Sequence, residues 1–120
     1  MPNKFYVHPK CSTCKKALSF LKSHSVDYEE INILLTPPSK RELLIALEQG
    51  KDAKKILNTS GNSYRSIEDR EKFLALAPDI LVDKLSHDPM LIKRPFFILS
   101  NEVLVGFNEK KWNQYFNGRE

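Results

Sequence analysis

The segment HPKCSTCKKAL, residues 8–18, decides how the rest of the chain is read. It follows a short aromatic and β-branched run, Phe5-Tyr6-Val7, whose residue types favour a strand, and Pro9-Lys10 ends that run just before the first cysteine. Beyond it, Cys14, Ala17, Leu18 and Leu21 recur at i, i+3, i+4 and i+7, the period of a helix with one buried face, while Lys15, Lys16, Ser19 and Lys22 face elsewhere. The two cysteines therefore straddle a strand-to-helix junction, with Cys11 at the first turn and Cys14 one turn inside. Three chemistries use such a pair: metal ligation, a structural cross-link and thiol–disulfide exchange.

Composition weighs against the first two. At 120 residues, 41% of them hydrophobic, the chain can bury a core without a staple or a structural metal. Cys11 and Cys14 are the only cysteines, and joining them closes so short a loop that little denatured-state entropy is removed. For zinc, one such pair supplies half of a tetrahedral set and no second pair follows. His8, His24 and His87 are the other soft donors, and the last two read as surface residues at a helix end and in a distant loop. No metal and no bound cofactor are expected. No N-terminal stretch has the apolar core of a signal peptide, and no run approaches bilayer-spanning length, so the expected setting is cytoplasmic, with no membrane contact. In that reducing compartment the pair reads as a metal-ligand pair or a redox site and not as a permanent cross-link. The formal net charge is +4, but the basic residues are spread along the chain, which reads as a solvated surface and not as a nucleic-acid footprint. A monomer is expected.

Further along, Tyr28 to Ile33 reads as a second strand, parallel to the first by way of the crossover helix. From Thr36 to about Asp88 the pattern is helical. Ser39 with Glu42 forms a capping box, Gly50 a helix stop, Asn58 to Ser63 a polar turn, Ser66 with Asp69 a second capping box, and Pro78 the first turn of another helix. Phe96–Leu99 and Val103–Val105 read as a hairpin across Ser100-Asn101-Glu102, followed by a helix over Asn108–Phe116. The order β, α, β, helices, β, β, α gives one α/β domain over residues 1–120, with a helical insertion at about 36–90 between the second and third strands. A strand, a Cys-x-x-Cys and a helix opening a βαβ unit point to a thioredoxin-like fold with a redox site.

In that setting Cys11 feels unpaired backbone N–H groups and the positive end of the helix, and Lys10, Lys15 and Lys16 add charge, so its pKa is expected below that of a free thiol. It is the expected nucleophile and Cys14 the resolving thiol. The N–H groups of Ser12, Thr13 and Cys14 form a nest suited to an anion. In MLIKRPFFIL, residues 90–99, the plain reading of Arg94-Pro95 is an edge-strand proline beside a solvated arginine. In a thioredoxin-like fold, Pro95 is instead expected as a cis proline against the cysteine loop, which brings the Arg94 guanidinium beside Cys11.

The stretches CSTCKKAL, PPSKREL, LNTSGNSYR, MLIKRP and VGF, in that order, resemble the arsenate reductase (ArsC)-like proteins, a group that includes the Spx-type regulators. The resemblance implies a thioredoxin-like core interrupted by a helical bundle, with Cys11 reactive and Arg94 its partner. The glutaredoxin-coupled arsenate reductases of this group carry one active-site cysteine and three arginines. Here only Arg94 matches, and Asn58 and Phe107 stand at the other two places. Each lost charge-assisted bond to a divalent anion is worth about 1.5–3 kcal/mol. The leading expectation is thus a cytosolic thiol–disulfide oxidoreductase with glutathione as reductant and glutaredoxin or thioredoxin as redox partner. Its chemistry is carried by Cys11, Cys14 and Arg94, and its binding surroundings are Lys10, Ser12, Thr13, Pro95 and Arg65. Arg65, in a stretch resembling the small reductase-like branch of unassigned substrate, reads equally as cleft-lining or surface. Second comes a Spx-type redox-responsive regulator binding the RNA polymerase α subunit, for which Gly50 lies near a contact glycine although the longer basic tail is missing. Arsenate reduction comes third.

Overall fold

Phe5, Tyr6 and Val7 alternate their side chains between the two faces of a sheet, and that alternation organises the molecule. In the computed structural model, which describes residues 3–100 and 102–117, β1 (Lys4–Val7) lies inside a four-stranded sheet. It pairs in parallel with β2 (Glu29–Asn32) and antiparallel with β3 (Phe96–Ile98), which in turn pairs antiparallel with β4 (Val103–Val105), giving the order β2-β1-β3-β4. The crossover between β1 and β2 is α1 (Ser12–Ser23). Phe5, Val7 and Phe97 point to one face, where α1 and the last helix, α7 (Glu109–Asn117), cover them with Cys14, Ala17, Leu21 and Trp112. Tyr6 and Phe96 point to the other, against the helical insertion. A sheet covered on both faces explains why Phe5-Tyr6-Val7 of β1 and all of β3 are apolar and largely buried. This is a thioredoxin-like α/β fold.

The insertion contains α2 (Lys40–Glu48), α3 (Ala53–Ile56), α4 (Asn62–Arg65), α5 (Arg70–Leu74) and α6 (Pro78–His87), then a 3₁₀ turn at Pro89–Leu91. The Ser39–Glu42 capping box forms, and the Glu42 carboxylate also accepts from the buried Tyr6 hydroxyl at 2.8 Å and pairs with Lys4 at 3.2 Å. One carboxylate thus ties the start of the insertion to the central strand. Gly50 takes φ +87 just past α2, the left-handed conformation that ends helices.

Several boundaries differ from the sequence reading. Ser66 and Asp69 do not form a capping box: Ser66 closes α4, its hydroxyl donating to the Asn62 carbonyl at 2.8 Å, and Asp69 is itself the N-cap of α5, accepting from the Lys72 N–H at 3.1 Å. Aspartate caps as well as serine, so the start moves three residues on. The polar turn after Asn58 closes into α4 from Asn62. On α1 the fourth buried position is Phe20, not Leu18, because α7 packs there and sets Phe20 against Phe107, Trp112 and Phe116. His24, read as a surface residue, stacks on Phe20 at 3.8 Å. Leu99 falls just outside β3, and Asn101 of the hairpin connection lies outside the described residues. Among the described residues no helix is long and apolar enough to cross a membrane.

Candidate active site

The loop between β1 and α1 places Cys11 as the N-cap of α1, with extended backbone angles of φ −96 and ψ 117. Its Sγ accepts from the Cys14 backbone N–H at 3.3 Å, the position a serine or aspartate oxygen usually fills. A sulfur used as a cap is favoured as thiolate, because it faces the N–H groups and the positive end of the helix. Burial opposes ionisation of Cys11. The hydrogen bonds from the Cys14 thiol and N–H, and then the charge and donor of Arg94, outweigh it, so its pKa is held below the ordinary thiol value. Cys14, buried in the α1 stripe, behaves oppositely: burial, and then its hydrogen bond to Cys11, push its thiol up to about 12. Both cysteines are free.

Arg94 arrives from the far end of the chain. Its segment is fastened to the insertion by the Leu57–Ile92 bridge, by Asn58 N–H to Leu91 carbonyl at 2.8 Å, and by Lys93 N–H to Ile56 carbonyl at 2.9 Å. The Arg94-Pro95 peptide is cis, and the Pro95 carbonyl accepts from the Gly106 N–H at 2.8 Å. These bonds draw Asn58, Arg94 and Phe107 to the lining of one cleft of about 870 Å³, which Cys11 and Thr13 also line. Nη1 of Arg94 is buried there without a hydrogen-bond partner. A buried guanidinium nitrogen left unpaired is costly and suits an arriving anion.

Other residues singled out from the sequence lie elsewhere. Lys10, Lys15, Lys16 and Ser12 are exposed, and the cation among the leading influences on Cys11 is Arg94. Lys10 acts instead on His8, whose pKa is lowered by burial, then by Arg94 and Lys10; His8 Nδ1 accepts from the Lys10 N–H at 3.0 Å. Arg65 does not line the cleft: it is exposed on α4 and its guanidinium donates to the Ser60 carbonyl. Among the described residues no three His, Cys, Asp or Glu side chains converge as a metal site. The sequence reading missed the cations of the cleft, Lys51, Lys55, Lys93 and Lys111. They come from four separate segments, so only the topology brings them together; Lys93, beside Arg94, was the one with a local signal.

Residues 6–115 match the model of the ArsC family. The chain is 42% identical over 111 residues to the uncharacterized protein YusI of Bacillus subtilis strain 168, covering 92% of this chain and 94% of that protein. It is 30% identical over 107 residues to the global transcriptional regulator Spx of Streptococcus pyogenes serotype M1, covering 87% of this chain and 77% of the regulator. The solved structure of a possible arsenate reductase from Streptococcus mutans UA159 superposes with a TM-score of 0.83 at 35% identity, covering 92% of this chain and 97% of that one.

Proposed function

The chain belongs to the ArsC family, and from that premise we propose that it is a thiol–disulfide oxidoreductase in which Cys11 attacks and Cys14 resolves. The observation that carries this reading is the inequality of the two sulfurs: one is the N-cap of a helix with a lowered pKa, the other is buried and held protonated. The Cys11 thiolate attacks one sulfur of a disulfide RSSR, forming a mixed disulfide and expelling one thiolate, which takes up from solvent the proton that Cys11 released on ionising. Cys14 then attacks Cys11 Sγ, its proton passing to the second leaving thiolate. The balance is one protein dithiol and one RSSR giving one protein disulfide and two RSH. Glutathione, or a glutaredoxin- or thioredoxin-type dithiol, returns the pair to the reduced state. Arg94 holds the Cys11 thiolate. Arsenate is disfavoured as substrate because Asn58 and Phe107 face the cleft where two more guanidinium groups would be needed.

The division of labour is tested by exposing single variants to oxidised glutathione and weighing the products. Cys14→Ser is expected to accumulate a mixed disulfide on Cys11, and Cys11→Ser to remain unlabelled. Equal labelling of both variants would show that the nucleophile is misassigned. A second reading, a redox-responsive regulator that docks on the RNA polymerase α subunit, is favoured by Gly50, which is exposed, lines the cleft and has open space where a side chain would stand. Capture of that subunit by the chain without turnover of any disulfide would favour it over the enzyme.

A further inference from the structure

The cleft beside Cys11 is cationic out of proportion to the molecule. Lys51, Lys55, Lys93, Lys111 and Arg94 line it against one carboxylate, Glu102, and that carboxylate is already paired with Lys51 at 3.3 Å. The excess of positive charge there equals the formal net charge of the whole chain, +4, so the rest of the surface is balanced. Lys55, Lys93 and Lys111 have no side-chain partner among the described residues. The Lys93 stem passes over Gly106, which takes φ +74 and leaves room for it: a Cβ added there would meet Lys93 Cε at 2.8 Å. Arg94 lines the cleft as well, and its Nη1 is a buried donor without a hydrogen-bond partner.

The same cleft is also lined by apolar side chains, among them Leu104 and Phe107. A tetrahedral oxyanion has no apolar surface to set against them and fills only a small part of about 870 Å³. A polypeptide segment has both kinds of surface. We propose that the disulfide taken by this cleft is carried on an acidic polypeptide, with its carboxylates on Lys55, Lys93 and Lys111 and its backbone and apolar side chains along Leu104 and Phe107. This rests on the thiol-exchange reading above and adds the class of substrate to it. Charge of one sign focused in a cleft steers oppositely charged partners to the thiol and repels cationic ones.

The test is the single-turnover reaction of the reduced protein with three disulfide peptides of equal length, identical but for acidic, neutral or basic residues flanking the cysteine. The expected order is acidic, neutral, basic. The acidic peptide should react at least about tenfold faster than the basic one at low salt, the difference shrinking as salt screens the cleft. Changing Lys55, Lys93 and Lys111 together to Gln should bring the acidic rate down towards the basic one, and changing them to Arg should keep the preference. Equal wild-type rates for the acidic and basic peptides would overturn the proposal while leaving thiol exchange standing. A preference that survives the Gln variant would also overturn it, since other groups would then be its source. No reaction with any of the three would sink the exchange reading, and this one with it.

Discussion

Arg94 reaches the Cys11 thiolate from 83 residues away in sequence, and its charge and hydrogen bond lower the thiol's pKa, whereas Lys10, Lys15 and Lys16 beside it are exposed. Sequence distance is a poor guide to electrostatics because exposed lysines are screened, whereas a guanidinium with a buried nitrogen acts through a drier medium. Removing it by Arg94→Ala should move the pKa of Cys11 upward, since a nearby cation that favours the thiolate is lost. The rate of Cys11 alkylation against pH is the measurement: its midpoint should shift to higher pH, and an unshifted profile would mean that the helix terminus alone sets the thiol. The arginine was legible in the sequence as the residue before a cis proline. That Cys11 would be the cap itself was not, because cysteine is not among the preferred N-caps and carries no capping signal of its own.

The elements themselves were read best where a local chemical signal coincides with a tertiary need. Ser39 and Glu42 are such a case: the capping box spacing is visible in the sequence, and the same Glu42 carboxylate binds Tyr6 and Lys4 of β1. Ser66 and Asp69 have the same spacing and failed, because nothing outside the local chain selects Ser66 as a helix start and Asp69 is an equally good cap. The Glu42 junction gives a prediction in acid. Burial raises its pKa, but the Ser39 N–H, the Tyr6 hydroxyl and Lys4 outweigh that, and the net shift is downward from 4.5. A carboxylate with a depressed folded pKa contributes stability that is complete above its unfolded pKa and lost as pH falls through the folded one. Glu42→Gln should therefore flatten the loss of stability in urea melts below about pH 4.5 relative to wild type, and Ser39→Ala should cost about 1 kcal/mol at neutral pH. Identical acid profiles for wild type and Glu42→Gln would place the acid sensitivity elsewhere.

At the scale of the molecule, the order of strands and helices carried the architecture, because a βαβ start followed by a hairpin leaves few ways to close a sheet. The gathering of the cleft lysines did not follow from it, since α3, the Arg94 segment and α7 meet only once both sheet faces are covered. The same covering sets the two thiols in opposite environments, and so gives the stability of the reduced molecule a distinctive dependence on pH. Cys11 has a folded pKa below the unfolded value of 9.0, so its contribution grows as pH rises from the folded pKa to about 9 and then stays constant. Cys14 has a folded pKa raised to about 12, so the unfolded chain loses a proton above about 9 that the native state keeps, and stability falls from there until the buried thiol also ionises. Reduced wild type compared with the Cys11→Ser, Cys14→Ser double variant should therefore show a difference in unfolding free energy that rises towards pH 9 and declines beyond it. In the single variants the two limbs should separate: Cys11→Ser should lack the rise and Cys14→Ser the decline. The measurement is a series of denaturant melts under reducing conditions across this range. A difference that changes in one direction only would show that the two sulfurs share one environment, and would remove the inequality on which attack by Cys11 and resolution by Cys14 depend.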